Sequence, residues 1–248
     1  MNKEERKKRY NEFLNNSMNN PNIISGVHNY CDRWCERCKF IKRCRVGLME
    51  LERLDDDNED GSAIWEELSA VFEATIEMIT EKAKEMGIDL NNIPELEKKK
   101  RKFSEIEKES EKYSKEVHNW IKNNHENFQQ QTLEIVKKEL AIPDFKEALE
   151  VIQWYEFFIH VKIRRAADGL YDAEEDDNEF RKNDSDGTAK IAIIAINRSI
   201  EAFTVLYQRF PEHEDKILVF LKQLSSIKQK MLASFPNAMA FIRPGFDE

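Results

Sequence analysis

Residues that turn or break a chain are rare in this sequence. Only 7 glycines and 6 prolines are spread over 248 residues, too few for the tight turns of a sheet protein and suited to long helices with few connections. Hydrophobic side chains make up 40% of the sequence and charged ones 35%, the balance of amphipathic helices with one wet face. Apolar residues recur at three- and four-residue steps, as in Ile64, Trp65, Leu68, Val71, Phe72, Ile76 and Ile79. No stretch alternates with the period of two that marks a half-buried strand. The expected fold class is all-α: an antiparallel helix bundle preceded by a small N-terminal four-cysteine metal-binding segment.

The same periodicity divides the chain. Residues 3–17 read as a short charged helix, followed by a loop marked by Pro21 and Gly26, the cysteine segment from His28 to Cys44, and a helix over about 45–54. After an acidic loop, 55–61, Ser62 is placed to cap a helix that should stop near Gly87, a residue suited to the position after a C-terminus. Pro94 can open the next pattern, which is helical but sparse as far as Leu140: one long, partly exposed helix or a broken pair. An apolar helix over 144–168, an acidic loop over 169–186, the most apolar helix over 188–209 with Thr188 as its cap, and a last helix from Pro211 to about Ser234 complete the expected bundle, and the tail is expected to be irregular. The expected division is 1–54 for the cysteine segment and 55–248 for one continuous bundle.

Charge narrows the partners. A net charge of -9 argues against general nucleic-acid binding, which needs a basic face, and offers no attraction to anionic lipid. The run Lys98–Lys102 reads as a solvated helix face. The N-terminus has no apolar core, and no stretch approaches the roughly 18 uncharged apolar residues of a membrane span. The expectation is a cytoplasmic chain with a protein partner, in a compartment that keeps thiols reduced and favours metal binding over disulfides.

All four cysteines fall in HNYCDRWCERCKFIKRC. Cys31, Cys35, Cys38 and Cys44 are spaced C-x3-C-x2-C-x5-C. Were 31–38 helical, the first three would share one face, with Cys44 returning after a turn. Four thiolates satisfy tetrahedral zinc or the four corners of a [4Fe–4S] cube. Structural zinc more often uses two CxxC knuckles across a longer gap, so this compact run leans toward an iron–sulfur cluster, with zinc as the alternative. Arg33, Arg37, Lys39, Lys42, Arg43 and Arg45 surround the thiols with positive charge, and His28 is a possible substitute ligand. Plain burial of small thiols is the competing explanation. CxxxCxxC also resembles the cluster motif of radical S-adenosylmethionine enzymes, but Arg37 stands where they place an aromatic, no strands build their barrel, and a fourth cysteine would leave no open iron.

Other constellations are weaker. DDNEDGSAIWEE fits a calcium loop, with Asp56, Asn58 and Asp60 at positions one, three and five and Glu67 at twelve, although Ala63 departs from the larger aliphatic expected at position eight. Glu156 and His160, one helical turn apart, are the first suspects for a metal site inside the bundle, but the Glu-x-x-His spacing of ferritin-like di-iron sites is absent. Lys190, Asn197, Glu201, Thr204 and Gln208 read as the wet edge of a core helix. Phosphate-binding glycine loops, a nucleophile elbow and H-E-x-x-H are all missing.

HNYCDRWCERC, together with DSDGTAKIAIIAINRSIEAF at 184–203 and FPNAMAFIRPGFD at 235–247, resembles a family of uncharacterised bacterial proteins. The resemblance implies a bacterial source and a shared four-cysteine site, and brings no activity with it.

Overall fold

The computed structural model describes residues 3–54, 61–92, 101–139 and 144–247. Every regular element among them is helical, and none of the helices is long and apolar enough to cross a membrane. The chain forms two compact units, Met1–His28 with Arg33–Arg101, and Asn29–Asp32 with Lys102–Glu248. This division falls near residue 101, where the sequence suggested residue 54.

The first unit contains α1 (Lys3–Met18), α2 (Arg45–Leu54) and α3 (Gly61–Glu85). α1 lies against α3. Ala70 and Ala74 are buried, small enough to let helix backbones approach, and Arg6–Glu66 and Lys7–Glu77 pair on the same side of α3. α3 stops as expected: Gly87 has φ 68°, left-handed backbone that glycine adopts without strain. The cysteine loop is stitched by local backbone bonds. Ile24 N–H donates to Arg43 O at 2.9 Å, and Arg43 Nε to Asn22 O at 3.1 Å. Gly47 packs so closely on the Ile41 backbone that a Cβ there would strike the Ile41 carbonyl oxygen.

The second unit contains α4 (Glu105–Glu139), α5 (Asp144–Asp176), α6 (Glu179–Arg209) and α7 (Glu214–Ser234). The pairs α4–α5, α5–α6, α6–α7 and α4–α7 are in contact. The directions alternate: Glu109 pairs with Lys230 while Glu116 pairs with Lys216, and Arg165 pairs with Asp184 while Asp144 pairs with Arg209. These are antiparallel neighbours around one core, which includes Tyr113, Phe145, Ile152, Ile159, Ile193, Ile196, Phe203, Leu206 and Phe220.

Two boundaries differ from the sequence reading. The sparse pattern before Leu140 is one 35-residue helix, α4, and it begins where Ser104 and Glu107 form a capping box: Ser104 N–H and Oγ–H both donate to Glu107 Oε2, at 2.8 and 2.7 Å. The acidic stretch 169–186 is not a loop. α5 runs on to Asp176, the chain reverses at Asp177 and Asn178, and α6 starts at Glu179. Asn178 Oδ1 accepts from Arg181 N–H at 3.1 Å as a cap, and Asp177 takes φ 48°. Acidic residues here are solvated helix faces held by cross-pairs such as Arg181–Asp172. Gly169 gives the room: a Cβ there would sit 2.5 Å from Ser185 Oγ of the facing helix. Pro94, Pro143 and Lys98 to Lys100 lie outside the described residues.

Phe203 is fully buried and its ring lies 5.3 Å from that of Phe220 and 6.2 Å from that of Trp120. Phe203→Ala is expected to lower stability by about 3–5 kcal/mol, read as a shift of the urea-unfolding midpoint. A loss below about 1 kcal/mol would mean that this cluster is not the core.

Candidate functional site

The segment around the first cysteine is built into the second unit. It is not helical: Cys31 to Trp34 carry no helical turn, and Arg33 sits at φ 61°. The helical face imagined for Cys31, Cys35 and Cys38 is therefore absent. Side chains hold the segment instead. Asp32 Oδ2 accepts from Tyr155 O–H at 2.7 Å and from Arg198 Nη1 at 2.6 Å, while Arg198 also donates to Tyr155 Oη. Trp154 Nε1–H donates to Asp32 O at 2.9 Å. On the other side of Cys31, Tyr30 O–H donates to Asp184 Oδ1 at 2.8 Å, and Arg165 pairs with the same carboxylate.

Burial, then the bond to Asp184, pushes the Tyr30 phenol up to about 12. Burial and the bond to Asp32 likewise push Tyr155 far up. Both phenols therefore stay protonated donors across the physiological range.

The C-terminal segment closes the same clamp. The Tyr30 ring lies 4.5 Å from that of Phe241, and both rings press on Gly187, where a Cβ would fall 2.6 Å from Tyr30 and 2.7 Å from Phe241. One turn along α6, the buried Lys190 donates to Phe241 O at 2.6 Å and Asp247 Oδ2 at 2.7 Å. Arg243 also binds Asp247, its Nη2 at 2.7 Å from Oδ1. Lys190, expected on a wet edge, is instead locked inside this network. Residues of the stretches 184–203 and 235–247 thus meet Tyr30 and Asp32, the residues flanking Cys31. Tyr30, Asp32, Asp184, Arg198 and Asp247 were not singled out from the sequence, and Lys190 was read only as part of a wet edge. The available signal was a lysine inside the most apolar helix, which must find partners if buried.

The remaining cysteines belong to the first unit. Cys35 opens a 3-10 turn, Cys35–Arg37, and Cys38 N–H donates to Cys35 O at 3.0 Å. Phe40 N–H donates to Cys38 Sγ at 3.4 Å. Cys44 precedes α2 and its carbonyl accepts the first helical bond, from Leu48. Cys31, Cys35 and Cys38 are half-buried, Cys44 is buried, and none of the four is in a disulfide. Arg37 lies 4.0 Å over the Trp34 ring. His28 is held below its usual range by burial and then by Arg33 and Arg45, so it is a neutral imidazole near neutral pH.

The donor chemistry fits a thiolate-bound metal, and the Cys35–Cys38 turn is a spacing that zinc and iron–sulfur sites use. Convergence is another matter. Among the described residues, no group of three or more His, Cys, Asp or Glu side chains lies close enough to hold a metal ion.

The other candidates separate. Glu156 is buried, but its partner is His118 of α4, with Oε1 2.9 Å from Nδ1. Burial pushes this carboxyl up, countered by His118, and Oε2 is buried without a hydrogen-bond partner. His160 meets Ser110 Oγ at 3.0 Å instead, and burial lowers its basicity. His118, which sits in polar sequence, is thus part of the Glu156 arrangement and was missed. Asp56, Asn58 and Asp60 of the calcium-loop pattern lie outside the described residues, and Glu67 falls within α3.

Fold and site together define an all-helical protein whose cysteine segment is clamped at Cys31 by two long helices and the C-terminal segment. The chain matches no protein-family model, no curated protein and no solved structure.

Asp247 gives the clamp a pH dependence. Arg243 and Lys190 hold its carboxyl well below the usual carboxylate range, against burial. A depressed folded value means that the stabilisation is present above the unfolded value of about 3.9 and is lost as pH falls through the folded one. Asp247→Asn is expected to cost about 1–3 kcal/mol at neutral pH, and the gap to the parent should shrink on acidification below about pH 4. Urea melts at both pH values check it; a gap independent of pH would contradict the assignment.

Proposed function

We propose that Cys31, Cys35, Cys38 and Cys44 bind a single metal centre and that this centre, an iron–sulfur cluster, serves electron transfer or redox sensing. The observation that carries the reading is the clamp: the residues on both sides of Cys31 are fixed by named side-chain bonds, although they lie in a segment with little regular structure. Such fixation positions one ligand ahead of binding and lowers the entropy lost when the other thiols close on the ion.

The turn at Cys35–Cys38 and the N–H aimed at Cys38 Sγ support two more ligands. Since no three donors lie within reach of one ion among the described residues, binding is coupled to rearrangement within 31–44, as is common for small thiolate sites. The basic side chains between Arg33 and Arg45 offset the negative charge of a thiolate centre. A reducing compartment such as the cytoplasm suits four cysteines outside disulfides.

A second reading is a zinc-stapled helical module that binds a protein partner and catalyses nothing. It is favoured by the apolar side chains that α3 leaves exposed, Trp65 and Phe72 among them. Colour separates the two. Protein purified without oxygen is expected to be brown, with broad absorbance near ~400 nm and acid-labile sulfide; a colourless protein with one zinc would establish the second reading instead.

Cys38→Ser is expected to remove most of the metal and to lower the melting temperature, because the bound metal's free energy is part of folding. Elemental analysis of parent and variant checks it, and unchanged metal content would defeat both readings.

A further inference from the structure

We propose that Tyr113, Glu156 and Ser199 hold one buried water molecule between α4, α5 and α6. Each carries a buried side-chain oxygen that finds no hydrogen-bond partner among the described residues: Tyr113 Oη, Glu156 Oε2 and Ser199 Oγ. Tyr113 and Ser199 are wholly buried, and Glu156 keeps only 8% of its surface exposed. The three are neighbours. Ser199 is close enough for its hydroxyl to act on the Tyr113 phenol, and Glu156 for its charge to do so. All three belong to the second unit, in which α5 packs against both α4 and α6.

None of the three is satisfied within its own helix. A helical serine cut off from water can turn its hydroxyl to the carbonyl four residues back. Ser114 does so to Ser110 O at 2.8 Å, and Ser185 to Arg181 O at 2.9 Å. Ser199 makes no such bond, so its hydroxyl is left for a partner beyond its own helix. The phenol is held in place by packing, its ring edge-on to that of Phe220 at 6.3 Å. Burial, ahead of the opposing effects of Ser199 and Glu156, pushes it well above its usual range, so it remains a donor. Glu156 Oε1 is already taken by His118 Nδ1 at 2.9 Å, which leaves Oε2 as the open acceptor.

A buried polar group left unmet is costly, and three at one point call for a shared partner. A buried water typically makes about three hydrogen bonds to groups of this kind. Here it accepts from the Tyr113 and Ser199 hydroxyls and donates to Glu156 Oε2, which satisfies all three at once. A metal cation fits worse, because it cannot accept from a phenol O–H. The water ties α4, α5 and α6 at one point and extends the His118–Glu156 pair into a hydrogen-bonded chain that ends in the core. The site does not involve the cysteines and holds whether they take an iron–sulfur cluster or zinc.

A high-resolution crystal structure of the full chain tests it. One ordered water is expected within about 2.5–3.2 Å of Tyr113 Oη, Ser199 Oγ and Glu156 Oε2. Urea melts give a second readout. Tyr113→Phe and, separately, Ser199→Ala each delete one hydroxyl with little change of shape, and each is expected to raise the unfolding equilibrium constant roughly tenfold. The double variant should raise it by less than the product of the two, because either deletion already weakens the hold on the water. A hydroxyl with no partner at all would give the opposite sign, since removing it stabilises the fold. No water at this position, a single variant at least as stable as the parent, or effects that simply multiply would overturn the proposal.

Discussion

The carboxylate of Asp32 accepts hydrogen bonds from Tyr155 and Arg198 at once, and so ties the residue after Cys31 to α5 and α6. Much of what is distinctive in this protein depends on that bond. Tyr155 is almost wholly buried, and a buried phenol left without an acceptor costs about 1–3 kcal/mol. Removing Asp32 would therefore penalise the helices as well as free the segment. Tyr30 makes the matching connection on the other side of Cys31, to Asp184 and against Phe241. The result is a cysteine placed by side chains of α5 and α6, although its own backbone is irregular. Metal bound at Cys31 would thereby be linked thermodynamically to the helices, since anything that binds only the folded arrangement stabilises it.

Polar chemistry inside α6 follows from the same requirement. The helix runs through the core, and Gly187 leaves space for the rings of Tyr30 and Phe241. Lys190 cannot reach water freely from there. Its ammonium is satisfied by a carbonyl and a carboxylate of the C-terminal segment, so the last residues of the chain are part of the folded core chemistry and not a loose end. Breaking one partner of such a pair leaves a charge with no compensation, which costs more than the pair contributes when intact. This asymmetry makes the clamp sensitive to single substitutions.

The helices were legible because their signals are local. The ridge 64–79, Gly87 past the end of α3 and Pro211 ahead of α7 each act within a few residues, and the structure follows them. The expected acidic loop at 169–186 failed because charge density says only that a face is wet. Helices α5 and α6 continue through it, and two residues, Asp177 and Asn178, suffice for the reversal. The start of α4 was readable in Ser104-x-x-Glu107, a capping signal overshadowed by Pro94. The cysteines could be named from their grouping, but their surroundings could not. Tyr30 and Asp32 are joined to partners more than 120 residues away along the chain, and no period or spacing encodes a contact of that range. The pairing of Glu156 with His118 in preference to His160 is of the same kind: a choice made by which helix packs alongside, not by helical register within one segment.

The central claim is that four sulfur atoms between residues 31 and 44 share one ion or cluster. X-ray absorption spectroscopy of the full-length protein, purified without oxygen, tests it most directly, because it reports the atoms bound to the metal regardless of activity. An all-sulfur first shell is expected, from four thiolates in a zinc site or from thiolates and cluster sulfides in an iron–sulfur centre. A shell of nitrogen and oxygen donors, or protein that binds no metal at all, would contradict it.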